Sequence, residues 1–147
     1  MNCIRIVLAS TIFGLLTGCG PKMAKTKPEE ADLHGTFEAD LDNGRVSVLT
    51  LFPDGSVSGS LVPVRRMHAD GVNFRSIRSQ WELTDPSMTP SGSWCVEFEG
   101  LFFRVYTDGS DIILRHPYDV LNHKAATYIR TGPIESASST RSPPAVD

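Results

Sequence analysis

The stretch "RVSVLTLFPDGSVSGSLVPV", residues 45–64, decides the fold. Two β-rich runs, "RVSVLTLF" and "SVSGSLVPV", flank Asp54-Gly55. That dipeptide is favoured where a tight hairpin needs backbone with φ > 0. The segment therefore reads as two antiparallel strands and their turn. The same punctuation recurs outward from it, at Asn43-Gly44, Asp70-Gly71 and Asp108-Gly109. Between these marks lie "FRSIRSQWEL", "SWCVEF", "LFFRVY", "DIILRH" and "AATYIRT".

Several of these runs alternate with a period of two. Ile77, Ser79, Trp81 and Leu83 oppose Arg78, Gln80 and Glu82; Leu101, Phe103 and Val105 oppose Phe102, Arg104 and Tyr106. Trp94, Val96 and Phe98 share one face, and Cys95, Glu97 and Glu99 the other. Such alternation marks strands with one buried and one wet face. The expectation is an all-β domain: an antiparallel up-and-down meander of about seven or eight strands, closed into a small barrel or folded into a sandwich so that no long edge stays open. Only "PYDVLNHKAA", residues 117–126, suggests a helical turn, and a loop fits it equally.

The 147 residues, 40% hydrophobic and 21% charged, suit one domain with short extras. A net charge of −3 argues against a nucleic-acid partner, because phosphate binding concentrates Lys and Arg. Residues 1–18 differ from the rest. Arg5 precedes a short apolar run, which Gly18, Gly20 and Pro21 end. A spanning helix needs roughly 20 apolar residues, so this run reads as a secretory signal.

Leu16-Thr17-Gly18-Cys19 resembles the lipobox of bacterial lipoproteins. The resemblance implies cleavage between Gly18 and Cys19, and diacylglycerol on the Cys19 thiol with further acylation of that residue. It implies no other cofactor. Gly20 stands where an aspartate would resemble an inner-membrane retention signal, which favours the periplasmic face of an outer membrane in a cell with two membranes. Residues 19–34 then form the acylated N-terminus and a solvated linker, residues 35–131 the β domain, and residues 132–147 a disordered Ser/Pro-rich tail. Cys95 is left without an intramolecular partner, as a small buried hydrophobe or a reactive thiol.

"GTF" at 35–37, "LTLFPDGSVSG" at 49–59, "SQWEL" at 79–83 and "TYIRT" at 127–131 are similar to segments of small lipocalin-like domains in bacterial lipoproteins. That resemblance implies a barrel and an apolar ligand. Trp81, Trp94, Phe98 and Phe103 are the candidates to line such a site, with core packing as the competing reading. Tyr128 and Arg130 are expected to close the barrel base, with Arg130 stacking on Trp81 or Trp94.

Signatures of chemistry are sparse. "GSVSG", residues 55–59, puts valine where a nucleophile elbow needs serine. His116 and His123 lie seven apart, and His34 and His68 are distant, so no close metal-ligand spacing appears. They read as loop histidines. Asp108 and Asp111 suit a hairpin turn better than a calcium loop, which would need more acids. "RRMH", residues 65–68, with Arg75 and Arg78 could make a small basic patch. The expected function is non-catalytic: an acyl-anchored envelope protein that binds an apolar small molecule or an envelope protein. The alternatives are a structural or assembly factor docked on an envelope complex and a hydrolase of envelope material.

Overall fold

The computed structural model describes residues 20–42, 44–65, 72–119 and 124–133. Residues 1–19, with Gly18 and Cys19, the segment 66–71 with His68, residues 120–123 with His123, and residues from 134 onward lie outside the described residues.

Ten strands are described: β1 (Lys22–Met23), β2 (Gly35–Asp40), β3 (Val46–Leu51), β4 (Ser56–Arg65), β5 (Val72–Gln80), β6 (Glu82–Thr84), β7 (Cys95–Phe98), β8 (Leu101–Asp108), β9 (Asp111–Asp119) and β10 (Lys124–Gly132). A four-residue helix, α1 (Glu30–Leu33), precedes β2, and a 3-10 turn spans Pro86–Met88. All pairings are antiparallel, in the order β5-β4-β3-β2-β10-β9-β8-β7-β6. The domain is an antiparallel meander forming a nearly closed barrel. Its last strand returns to β2, so the ladder ends are β5 and β6. These two are consecutive in the chain, separated by Trp81 alone. Covalent continuity, rather than a hydrogen-bond ladder, carries the wall across the seam.

Trp81 makes that crossing stable. Its backbone N–H donates to Gly55 O at 2.8 Å, and its indole N–H to Phe52 O at 3.2 Å. Both acceptors belong to the Asp54-Gly55 turn, where Gly55 holds φ +80°. The turn that announced the fold thus also pins the seam.

The period-two faces sort as physics requires. Phe37, Leu49, Leu51, Val57, Val62, Val96, Phe98, Phe103, Val105, Leu114 and Tyr128 are buried together in one core. β4 departs from regularity: its register with β5 shifts between Gly59 and Val62, and Leu61 takes φ 53°. This bulge turns Val62 and Pro63 inward. A Cβ built on Gly59 would lie 2.7 Å from Val62 Cγ2, too close for the buried valine to tolerate. Gly59→Ala should therefore destabilise by about 1–3 kcal/mol, read as a lower denaturant midpoint at constant slope.

Two expectations are corrected, and the reading of Cys95 as a buried residue holds. Residues 20–34 are not wholly a solvated linker: β1 pairs with β8, and Leu33 of α1 is completely buried. Within the expected turn or loop at 117–126, the flanks extend β9 and start β10. Cys95 is buried although Glu97 shares its strand face, because the segment 85–93 covers the outside of β7 there. Its thiol donates to Ser93 O at 3.4 Å, and Ser91 Oγ lies 3.8 Å away. Asp85 shapes that cover by accepting from Ser87 N and Oγ at 2.8 and 2.7 Å.

Candidate functional site

The expected ligand-lining residues divide. Phe98 and Phe103 meet in the barrel interior, stacked with centroids 4.8 Å apart. Trp81 is buried at the seam, where His34 approaches edge-on at 6.0 Å. Trp94 is half-buried against the core margin. No single site gathers all four.

Phe103 is the hub of the interior. It stacks on Phe98, stacks on His116 at 4.6 Å and meets Tyr128 edge-on at 5.5 Å. Its own exposure is 0%. Its faces are thus occupied by this chain's own rings, the arrangement of a packed core.

Three polar side chains, Tyr128, Ser47 and His116, lie inside this cluster, and none of them was expected there. Tyr128 Oη and Ser47 Oγ are 2.7 Å apart. Ser47 Oγ donates to Ser60 O at 3.3 Å, so Tyr128 donates to Ser47. Burial, the larger effect, pushes the phenol up to about 12, while the Ser47 hydrogen bond opposes it. The hydroxyl stays protonated and satisfied.

His116 corrects the reading as a surface histidine. Its ring is buried, with Nδ1 2.9 Å from Phe102 O and Nε2 3.1 Å from Pro63 O. It bridges β8 and β4 across the interior. A neutral imidazole carries one N–H, so it donates to one of these carbonyls at a time. Burial pushes its pKa down; the two carbonyls pull more weakly upward. Both misses were visible as parity. Ser47 shares its face with Leu49 and Leu51, and His116 with Ile112, Leu114 and Tyr118.

Arg130 does cap one end of the core, but over a different ring: its guanidinium carbon lies 5.4 Å above Phe37. Asp108 and Asp111 flank the β8–β9 turn, with Gly109 at φ 63°. Arg75 and Arg78 are exposed on β5. Arg78 borders two open hollows of about 690 and 280 Å³, which share Ser58; the larger is lined by both polar and apolar side chains, Phe52, Ser56, Val57 and Gln80 among them, and the smaller by Val48, Thr50, Ser60 and Ile77. Among the described residues no three His, Cys, Asp or Glu side chains cluster as a metal site, and no helix is long and apolar enough to cross a membrane.

The chain matches no family model, no curated protein and no solved structure.

Proposed function

We propose that this chain is an acyl-anchored envelope lipoprotein whose small barrel acts by binding, without catalysis, and meets its partner on the outer wall. The anchor reading rests on Leu16-Thr17-Gly18-Cys19 and the short apolar leader before it. The cell address follows from the same motif: the periplasmic face of an outer membrane, where two membranes exist. β1 adds support, because only Gly20 and Pro21 separate Cys19 from a strand paired into the sheet. The acyl chains would hold the barrel close to the membrane surface.

The observation that carries the binding mode is the packing of Phe103 between Phe98, His116 and Tyr128. A barrel whose central aromatics are spent on one another favours docking onto an envelope protein over enclosing an apolar small molecule. Tyr128 and His116 are satisfied inside and turned away from solvent, which gives a hydrolase reading no support from them.

Cys19→Ser tests the anchor. Labelled fatty acid should be incorporated into the wild-type protein and lost completely from the variant, which should leave the membrane fraction. Undiminished labelling would sink the lipoprotein reading. Mass spectrometry of lipids co-purifying with the acylated protein tests the binding mode: a stoichiometric free lipid beyond the covalent chains would overturn docking in favour of an internal ligand.

A further inference from the structure

The outer face of the β8–β9 hairpin carries an unusual order of side chains. Cross-strand register places Asp108 opposite Asp111, Tyr106 opposite Ile113, and Arg104 opposite Arg115. Phe103, Val105, Ile112 and Leu114, the alternate residues, point into the core, so these six lie on the outer face, where Asp108, Asp111 and Arg115 are exposed, Arg104 and Tyr106 half-buried, and Ile113 only 8% exposed. The wall therefore reads as an acidic row, an apolar row and a basic row. Rows two residues apart are about 7 Å apart.

Like charges directly opposite one another destabilise a sheet. Here two such pairs stand on one hairpin, and none of the four has an ion pair among the described residues. They cannot satisfy each other either, since Arg104 and Asp108 are four strand residues, or about 13 Å, apart. The apolar row continues sideways: Met23 of β1 pairs with Tyr106, and Ile129 of β10 with Ile113. Met23 and Ile129 are 47% and 56% exposed, large values for such side chains.

We propose that this face is a two-fold interface with a second copy of the same chain. A two-fold axis running along the Tyr106–Ile113 row lays apolar row on apolar row. It reverses the strand direction, so Arg104 meets the partner subunit's Asp108 and Arg115 meets the partner subunit's Asp111. Each charge repelled within its own subunit is thereby neutralised across the axis. The surface is self-complementary, as an isologous contact requires. The opposite choice of axis, along the strands, would stack arginine on arginine.

This inference rests on the anchored reading for its strength. A convex barrel wall offers a small contact, below the roughly 1,200 Å² of a stable free dimer. Confinement by two acyl anchors raises the effective concentration and makes a weak contact sufficient. The symmetry permits it: β1 lies at one end of the row along which the axis runs, so the two β1 strands lie toward the same end of the dimer.

The test uses acylated protein in phospholipid vesicles, with flotation measured on every sample. Tyr106→Cys places a thiol beside the axis, and Ser58→Cys serves as the control on another wall. Oxidation should cross-link Tyr106→Cys and leave Ser58→Cys monomeric. Adding Arg104→Glu with Arg115→Glu should lower the dimer yield at least about tenfold, as should Asp108→Arg with Asp111→Arg. Mixing the two reversed proteins should restore it, which a folding defect would not do. Protein that floats yet fails to cross-link, cross-links equally at both positions, or is not rescued by mixing overturns the interface and leaves the anchor standing. Protein that does not float overturns the anchor, and this interface with it.

Discussion

Phe103→Ala should cost about 3–5 kcal/mol of folding stability, a large share of the roughly 5–15 kcal/mol that holds a domain together. The estimate follows from where the ring sits. Phe103 is wholly buried, and three rings from three other strands rest on it: Phe98 of β7, His116 of β9 and Tyr128 of β10. Removing it loses the transfer energy of a phenyl group and leaves a cavity that no one neighbour can fill without abandoning its own contacts. Tyr128 is fixed by Ser47, and His116 by a carbonyl of β8 or β4, so collapse into the space is resisted. Chemical denaturation should show the midpoint falling sharply while the slope stays constant. Phe103→Leu, which keeps much of the volume, should recover more than half of the loss. A loss below about 1 kcal/mol in Phe103→Ala would mean that the interior repacks freely, contrary to the packed-core account.

The second large effect concerns His116. At pH 8, His116→Leu should destabilise by about 1–3 kcal/mol, because a buried carbonyl of Phe102 or Pro63 loses its donor while the ring contact with Phe103 weakens. The pH dependence has a definite sign. Burial holds the folded-state pKa below its ordinary value near 6.5. Between the folded and unfolded pKa values the unfolded chain binds more protons, so stability is fully present above about 6.5. It falls as the pH drops through that value toward the folded pKa. The wild-type curve minus the His116→Leu curve should show this decline between pH 7 and 5, with the contributions common to both proteins cancelling. A difference that grows on acidification would show that the two carbonyls outweigh burial and that the ring is charged in the native barrel.

These two residues also mark how far the sequence could be read. Phe103 was placed correctly by parity, between Leu101 and Val105 on one face of a strand. Its identification as a lining residue was one of two readings, because alternation tells which side of a wall a residue faces and says nothing about what fills the space behind it. His116 was misplaced for a different reason. It stands in "LRHPY", where proline and tyrosine suggest the end of a strand, yet β9 continues to Asp119. Pro117 is accommodated as β9 and β10 change register between Lys124 and Ala125. The polar residues of the interior, Ser47, His116 and Tyr128, find their partners on other strands, and such pairings have no local signature.

Cys95 shows the same divide from the outside. Its face carries Glu97 and, just past the strand, Glu99, which weakened the expectation of burial without reversing it. The thiol is buried because the segment 85–93, with its Asp85-capped turn, folds over that end of β7. Leu33 is buried where composition read a soluble linker.

The sequence by itself determined the class of fold, the antiparallel meander, its principal turns and the motif at Cys19. Each of these is written in neighbouring residues: alternation through the period of the strand, turns through the φ > 0 demands of Gly, and the motif through a short apolar run before Leu16-Thr17-Gly18-Cys19. Tertiary structure alone decided closure. It joined β10 to β2, left the seam between β5 and β6 to Trp81, filled the interior around Phe103, and aligned Asp108, Tyr106 and Arg104 of β8 with Asp111, Ile113 and Arg115 of β9 as three rows. These outcomes depend on register and on contacts between residues far apart in the chain. The free energy of such contacts depends on the whole arrangement of strands, and no local window of sequence contains it.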